Sequence, residues 1–256
     1  MMHIFLTNDD GVEAPGIRAM ALALSSMARV TVLAPHHGRS SCSSSLTLHQ
    51  YLRVWEKPSY GEGIRVFACN GTTADCCKVA LEYWLRDDRP DLLVSGINNG
   101  YNTGSDCLYS GTVAGAMEGT FFGIPSMAVS AETARKPEFL ADAAACAGRI
   151  IRRYFAERHY RGILNLNIPE GADMSWSGIK VTKLGFQRYE NAIRALEDPS
   201  GRVGYWLAGT PVGNSSPDED VYWAHRGYVT LTPIQWDQTD MAHLIEVRHI
   251  AEEKID

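Results

Sequence analysis

Residues 3–35 read HIFLTNDDGVEAPGIRAMALALSSMARVTVLAP, and this stretch decides the fold. HIFLT at 3–7 is a short run of apolar and β-prone residues, as a buried strand requires. The run breaks at Asn8-Asp9-Asp10-Gly11, and Pro15 stands where a helix can begin. Ile17, Met20, Ala21, Leu24 and Met27 then recur at helical spacing. RVTVLAP at 29–35 is a second strand. Strand, helix and strand within about thirty residues make a βαβ unit.

The rhythm continues outward. Strands are expected over 46–55, 63–68, 91–95, 125–130 and 163–168. Helices are expected over 73–86 (capped by Thr72 or Thr73, with Cys76, Val79, Ala80 and Tyr83 on one face), from Ser110-Gly111-Thr112 onward, and over 137–157. The last carries the clearest apolar stripe, through Phe139, Ala143, Ala147, Ile150, Ile151 and Tyr154. Such alternation predicts an α/β fold with a Rossmann-like three-layer core and a mainly parallel sheet. Beyond Pro169 the pattern loosens into strands near 178–184, 203–209 and 227–234, a short helix at DEDVYWAHR (218–226) and a last helix around 240–250. The expected division is a catalytic core over 1–170 and a smaller hairpin-rich extension over 171–256, packed with the core.

Composition narrows the function. The 256 residues are 45% hydrophobic and 21% charged, with a formal net charge of −6, which fits a globular domain rather than a disordered chain. Long basic runs are lacking, so no polymeric nucleic acid is expected as a partner. Six cysteines show no paired zinc spacing, and free thiols in a reducing compartment are expected. The N-terminal stretch lacks the pattern of a secretory signal, and no apolar run approaches the roughly 20 residues a membrane span needs. The expectation is a cytoplasmic protein with no membrane partner.

In a doubly wound sheet ligands gather beyond the carboxyl ends of the strands. NDDG (8–11), HHGRSS (36–41), SGINNG (95–100) and SGTVAG (110–115) all fall at that edge. Asp9 and Asp10 can address one cation there, with Ser40 and Asn98 as neutral oxygen ligands. Hard oxygen donors of this kind suit Mg²⁺, Mn²⁺ or Ca²⁺, with Mg²⁺ or Mn²⁺ the cofactor expected. The same residues have plainer uses, since Asp9 and Asp10 can shape a turn or cap a helix and Asn98 can support a turn. Ser110-Gly111-Thr112 at a helix entrance offers backbone N–H groups to an anion, or simply an N-cap. On the first of these readings, Val at Gly111 obstructs phosphate and largely spares a metal. Neither GxGxxG nor a GxxxxGK[ST] loop occurs, which argues against dinucleotide binding and nucleoside-triphosphate chemistry. His36 and His37 are candidates for protonating a leaving group, or for ordinary surface use.

The blocks LTNDDGVEAPGI (6–17), GRSSCSSSLT (38–47), SGINNG (95–100) and YSGTVAGAMEG (109–119) stand in an order that resembles the SurE family of survival-protein nucleotidases. NGTTADC (70–76), ILNLNIP (163–169) and GYVTLTP (227–233) are similar to later family landmarks. The resemblance implies metal ligands at Asp9, Asp10, Ser40 and Asn98, with Asp9 and Asp10 catalytic. It implies phosphate contacts from Asn98, Asn102, Ser110, Gly111 and Thr112. It implies one divalent cation per subunit, hydrolysis of nucleoside 5′- and 3′-monophosphates, action on other phosphomonoesters or short polyphosphate, and a homodimer or homotetramer built through the C-terminal extension. Trp176, Tyr205, Trp206, Tyr222, Trp223 and Trp236 point the same way, because aromatic residues favour interface centres. Two departures stand out, Thr73 where the family commonly has proline and Asn99 where a small residue is common. A non-enzymatic regulator that uses the metal only for structure is the rival class.

Overall fold

The structure, a computed structural model, describes every residue except 134, 135, 208, 213, 214 and 253–256. The opening unit is β1 (Met2–Thr7), α1 (Pro15–Ser25) and β2 (Ala28–Pro35), with β1 and β2 parallel from Met2 opposite Ala28 to Leu6 opposite Val32. Helix α1 starts on Pro15, whose missing N–H would be unsatisfied there anyway. It buries Ile17, Met20, Ala21 and Leu24, as the spacing predicts. β3 (Val54–Lys57), β4 (Ile64–Cys69), α2 (Thr73–Lys78), β5 (Leu92–Asn99), α3 (Gly111–Phe121), β6 (Ser126–Ala131), α4 (Pro137–Ile151) and β7 (Ile163–Ile168) follow. The C-terminal part adds β8 (Ile179–Val181), β9 (Arg188–Glu190), β10 (Ile193–Glu197), β11 (Val203–Leu207), β12 (Thr210–Val212), α5 (Asp220–Ala224), β13 (Val229–Ile234) and α6 (Leu244–Glu252).

One nine-stranded sheet runs in the order β3-β4-β2-β1-β5-β6-β7-β13-β8. The six strands from β4 to β7 in that order are parallel, while β3 and β13 run antiparallel to their core neighbours β4 and β7. Alternation along β1 divides the core: Ile4 and Leu6 join the cluster under α1 and α4, whereas Phe5 joins the one under α2. Helices thus cover both faces, giving the mixed α/β fold with a mostly parallel sheet. Strand β1 has β2 on one side and β5 on the other. That is the switch point where the connections diverge and leave a crevice at the carboxyl edge.

Three expectations need correction. The 46–55 strand is formed only from Val54 onward, as β3, which runs on to Lys57. Side chains hold the preceding backbone instead: Thr47 N–H donates to Asp75 at 3.0 Å, Thr72 donates to the Ser45 carbonyl at 2.7 Å, and Arg53 N–H donates to Asn70 at 2.7 Å. The helix begun by α2 passes into a π-helical stretch, Val79–Trp84, so the spacing that placed Tyr83 inward no longer applies. Tyr83 is exposed, while Cys76 and Ala80 are buried. β5 is longer than 91–95, carrying Asn98 and Asn99 out on the strand itself. In the 203–209 stretch, Ala208 lies outside the described residues. The cap of α2 is Thr72, in a reciprocal capping box with Asp75, so Thr73 needs no proline-like pre-set to enter the helix.

Packing between α1 and β5 leaves no room at Gly16. A Cβ there would lie 2.0 Å from the Ile97 carbonyl oxygen, a backbone atom that cannot rotate away. Gly16→Ala is expected to lower the urea midpoint by a loss of about 1–3 kcal/mol, with the slope unchanged. An unaltered midpoint would show that the helix start shifts freely against the sheet.

Candidate active site

The turn after β1 is closed by Asn8, not by the aspartates. Asn8 donates to the Gly11 carbonyl at 3.0 Å and accepts from Gly11 N–H at 3.2 Å, and Gly11 takes φ +105°, which favours glycine. Helix α1 has Ala14 at its N-cap and no side-chain cap. Neither plain use of Asp9 and Asp10, shaping the turn or capping α1, therefore accounts for them.

Asp9 is 4% exposed and lies against the start of α3. Its Oδ1 accepts a short hydrogen bond from Thr112 Oγ1. A Cβ added at Gly111 would come within 2.8 Å of Asp9 Cβ and 2.9 Å of its Oδ2. Burial pushes the Asp9 carboxyl up to about 6; the Thr112 bond opposes the shift and the Asp10 charge reinforces it. Asp10 is half-buried and also raised by burial, against one hydrogen bond from Asn99 N–H to its Oδ2 at 2.9 Å. Among the described residues no basic side chain pairs with either carboxylate. Two neighbouring carboxylates, one of them almost fully buried and without a counter-charge, fit a bound cation.

A cavity of about 670 Å³ opens beside them, lined by Asp9, Ser40, Asn98, Asn102 and Ser110 among others. Five of the expected site residues therefore meet there. Asp10, Gly111 and Thr112 are not in its lining, but each touches or adjoins one that is. Ser40 is exposed on its loop, which is tied in place by Arg39 N–H to the Asp9 carbonyl at 2.7 Å. Asn98 donates its amide to the Gly100 carbonyl at 2.9 Å, an assignment that leaves the amide oxygen as the remaining acceptor. Ser110 is the N-cap of α3, accepting from Val113 N–H at 3.0 Å, so the capping duty falls to Ser110 and the carboxylate contact to Thr112. Among the described residues no group of three or more His, Cys, Asp or Glu is placed to hold a metal ion. A cation here would rest on two carboxylates completed by neutral oxygens.

Several neighbours escaped the sequence reading. Asn102 donates to Ser130 Oγ at 2.8 Å, its N–H donates to Asn167, and its carbonyl accepts from Asn165 and Asn167. Asn165 and Asn167 alternate along the buried strand β7. Two asparagines at i and i+2 inside an apolar run were the available signal. Tyr109, Asp106, Tyr189 and Leu207 also line the cavity, the last two from the C-terminal part, and nothing local in the sequence marks them. His36 and His37 do not line it. Their rings pack at 4.1 Å, and His36 meets Trp55 edge-on at 5.1 Å.

The chain has clear relatives among known proteins. Residues 4–191 match the family model described as survival protein SurE. The chain is 44% identical over 254 residues to the 5′-nucleotidase SurE of Alkalilimnicola ehrlichii, covering 96% of this chain and 94% of the relative. The chain belongs to the SurE family. The 5′-nucleotidase SurE of Moorella thermoacetica is 42% identical over 250 residues, covering 96% of this chain and 95% of its own. The crystal structure of the SurE protein from Aquifex aeolicus superposes with a TM-score of 0.82 at 34% identity, covering 98% of this chain and 100% of that one. The SurE fold thus spans the C-terminal part as well as the core.

The contact between Gly111 and Asp9 alters one expectation. If Asp9 is a ligand, bulk at Gly111 does not spare the metal, because the first atoms it meets are Asp9 Cβ and Oδ2. Gly111→Ala is therefore expected to weaken Mn²⁺ binding about tenfold or more, the scale of losing a supporting contact to a ligand. Calorimetric titration checks it, and unchanged affinity would remove Asp9 from the ligand set.

Proposed function

We propose that this chain is a phosphomonoesterase that hydrolyses nucleoside 5′- and 3′-monophosphates to nucleoside and phosphate, using one Mg²⁺ or Mn²⁺ per subunit. The observation that carries it is the buried Asp9 carboxylate, set against the start of α3 and facing a cavity shared with Ser40, Asn98, Asn102 and Ser110. The SurE relatives described as 5′-nucleotidases support the substrate class. Action on other phosphomonoesters or short polyphosphate belongs to the same reading.

Asp9, Asp10, Ser40 and Asn98 would hold the cation, which supplies charge neutralisation at a phosphate oxygen and a lowered pKa for a bound water. The protein's own share is positioning. Thr112 fixes one oxygen of Asp9, so the other can orient the attacking water. Asn98, Asn102 and Ser110 face the cavity beside the α3 terminus, and the terminal N–H groups at Gly111 and Thr112 are the proposed further contacts to the anion. Phosphoryl transfer asks mainly for alignment and charge stabilisation, and direct attack by water needs no further nucleophile. Asp9 and Asp10 are adjacent rather than separated as Asp-x-Asp, which disfavours a phosphoenzyme.

Asp9→Asn is expected to nearly abolish turnover of AMP, and Asp10→Asn to weaken Mn²⁺ binding strongly. Ser40→Ala and Asn98→Ala are expected to weaken it less, since each removes a neutral donor. Phosphate release and metal calorimetry on the four variants check this. Full activity in Asp9→Asn would end the proposal.

The functional division we propose is a catalytic core over 1–170 and an assembly extension over 171–256, in a cytoplasmic homodimer or homotetramer. No described helix is long and apolar enough to cross a membrane. The hairpin β10–β11 supports assembly: Ile193, Leu196, Val203, Tyr205, Trp206 and Leu207 are each more than half exposed. Apolar surface gathered on one element in this way marks an interaction site. Of the six aromatics expected at an interface, Tyr222 and Trp223 pack on each other at 5.1 Å. Trp206 is 64% exposed, so Trp206→Glu costs this fold little. It is expected to shift light scattering at low micromolar concentration toward the monomer with the melting temperature of the monomer unit preserved. A stable, active wild-type monomer there would overturn the assembly proposal.

A further inference from the structure

The cavity that carries Asp9 and Ser40 is larger than a phosphate group needs, and Tyr109, Tyr189, Ala192 and Leu207 also line it. The whole space, about 670 Å³, lies in the range of small-molecule sites and is ample for a group much larger than phosphate. Its lining is mixed: carboxylate, hydroxyl and amide groups share it with tyrosine rings and an aliphatic side chain.

Both rings present surface to solvent: Tyr109 is 65% exposed and Tyr189 47%. Neither hangs loose. The Tyr189 hydroxyl donates a short hydrogen bond to Asp106 Oδ2. Two residues upstream, Gln187 N–H donates to Ser105 Oγ at 3.1 Å, and Ser105 Oγ donates to the Gln187 carbonyl at 3.0 Å. Strand β9 is thereby fastened to the turn Gly104–Leu108, which leads directly to Ser110. On its other side β9 pairs with β12, Tyr189 opposite Pro211. Tyr109 is placed by the same loops. Its carbonyl accepts from Ser43 N–H at 3.1 Å, and the Leu108 carbonyl accepts from Ser43 Oγ at 2.7 Å, which ties the Ser40 loop to the backbone that carries the ring.

We infer that Tyr189 and Tyr109 are the specificity-determining wall for the leaving group, receiving the planar base of a nucleoside monophosphate whose phosphate lies beside Asp9, with Asp106 as the positioning residue for Tyr189. This rests on the nucleotidase reading and adds the residues that tell a nucleotide from a ring-less phosphate ester. Every base has a π-face, so stacking on tyrosine accepts purines and pyrimidines alike. Rings held before the ligand arrives lose little freedom on binding it. The wall lies outside the reacting atoms, so its contribution is the same in ground and transition states and is read in KM rather than kcat.

The test compares AMP with glycerol 2-phosphate, an ester without a ring, on the full chain in Mn²⁺. Tyr189→Ala is expected to raise KM for AMP about tenfold, within the roughly 5- to 100-fold range of losing one stacked aromatic. Its kcat for AMP and its kcat/KM for glycerol 2-phosphate should stay within about twofold of wild type, the pattern of lost uniform binding. Tyr189→Phe keeps the ring and drops the bond to Asp106. It should recover most of the AMP affinity, and Asp106→Asn should resemble it. An equal loss on both esters in Tyr189→Ala would make the tyrosine structural, and no loss on either would put the base elsewhere. Each outcome overturns the inference and leaves the nucleotidase reading intact. A wild-type chain that hydrolyses neither ester would sink that reading, and the inference with it.

Discussion

A carboxylate pressed against the first turn of a helix organises this molecule. Asp9 is almost fully buried, touches the place where Gly111 lacks a side chain, and takes a hydrogen bond from Thr112. Leaving such a group charged and unpaired is costly, and burial already pushes its carboxyl up to about 6. The start of α3 offsets part of that cost through its partial positive charge. The rest calls for a cation, and the neighbouring acceptors on Asp10, Ser40 and Asn98 are oxygens. The requirement for glycine at 111 and a hydroxyl at 112 follows from the same contact.

The sheet order explains why residues 103 positions apart can meet there. β1 sits between β2 and β5, so chain leaving β1 emerges over a gap between diverging connections. Asn8 closes the turn and Gly11 adopts the backbone angle it needs, which leaves the aspartate side chains to the crevice. β5 then delivers Asn98 on the strand itself, and the buried asparagines of β7 hold Asn102. Hydrogen bonds thus hold the parts of the site that face the core, whereas Ser40 is exposed on its loop.

How much of this was legible follows from the range of each signal. The β1-α1-β2 opening, the apolar stripe of α4 and the loops at the carboxyl edge are local patterns, and the structure reproduces them. The stretch before β3 begins like a strand, with Leu46 and Leu48 two residues apart. Its backbone partners, however, are the side chains of Asp75, Thr72 and Asn70, and alternation carries no information about those. Tyr83 was misplaced because a single widened turn rotates everything after it. Asp9, Ser40 and Asn98 stand out because several polar blocks converge on one sheet edge, and the structure sets all three on one cavity. Tyr189 and Asp106 were invisible, since only tertiary contact across 83 positions makes them a pair.

That pairing bears on what the C-terminal part is for. β8 and β13 extend the core sheet, β9 brings Tyr189 to the cavity, and β10–β11 stands out from it with its apolar side chains exposed. A segment serving assembly alone would have no reason to place an aromatic ring at the mouth of the carboxylate cavity, and one serving the site alone would not expose Tyr205, Trp206 and Leu207 together. The site contact and the proposed assembly contact share one short stretch of chain, from Arg188 to Val212. In the proposed assembly, contacts on the β10–β11 hairpin act on a segment next in sequence to the strand that carries Tyr189. Coupling of this kind needs no long pathway, because Ala192 and Leu207, at the two ends of the hairpin, line the same cavity as Asp9.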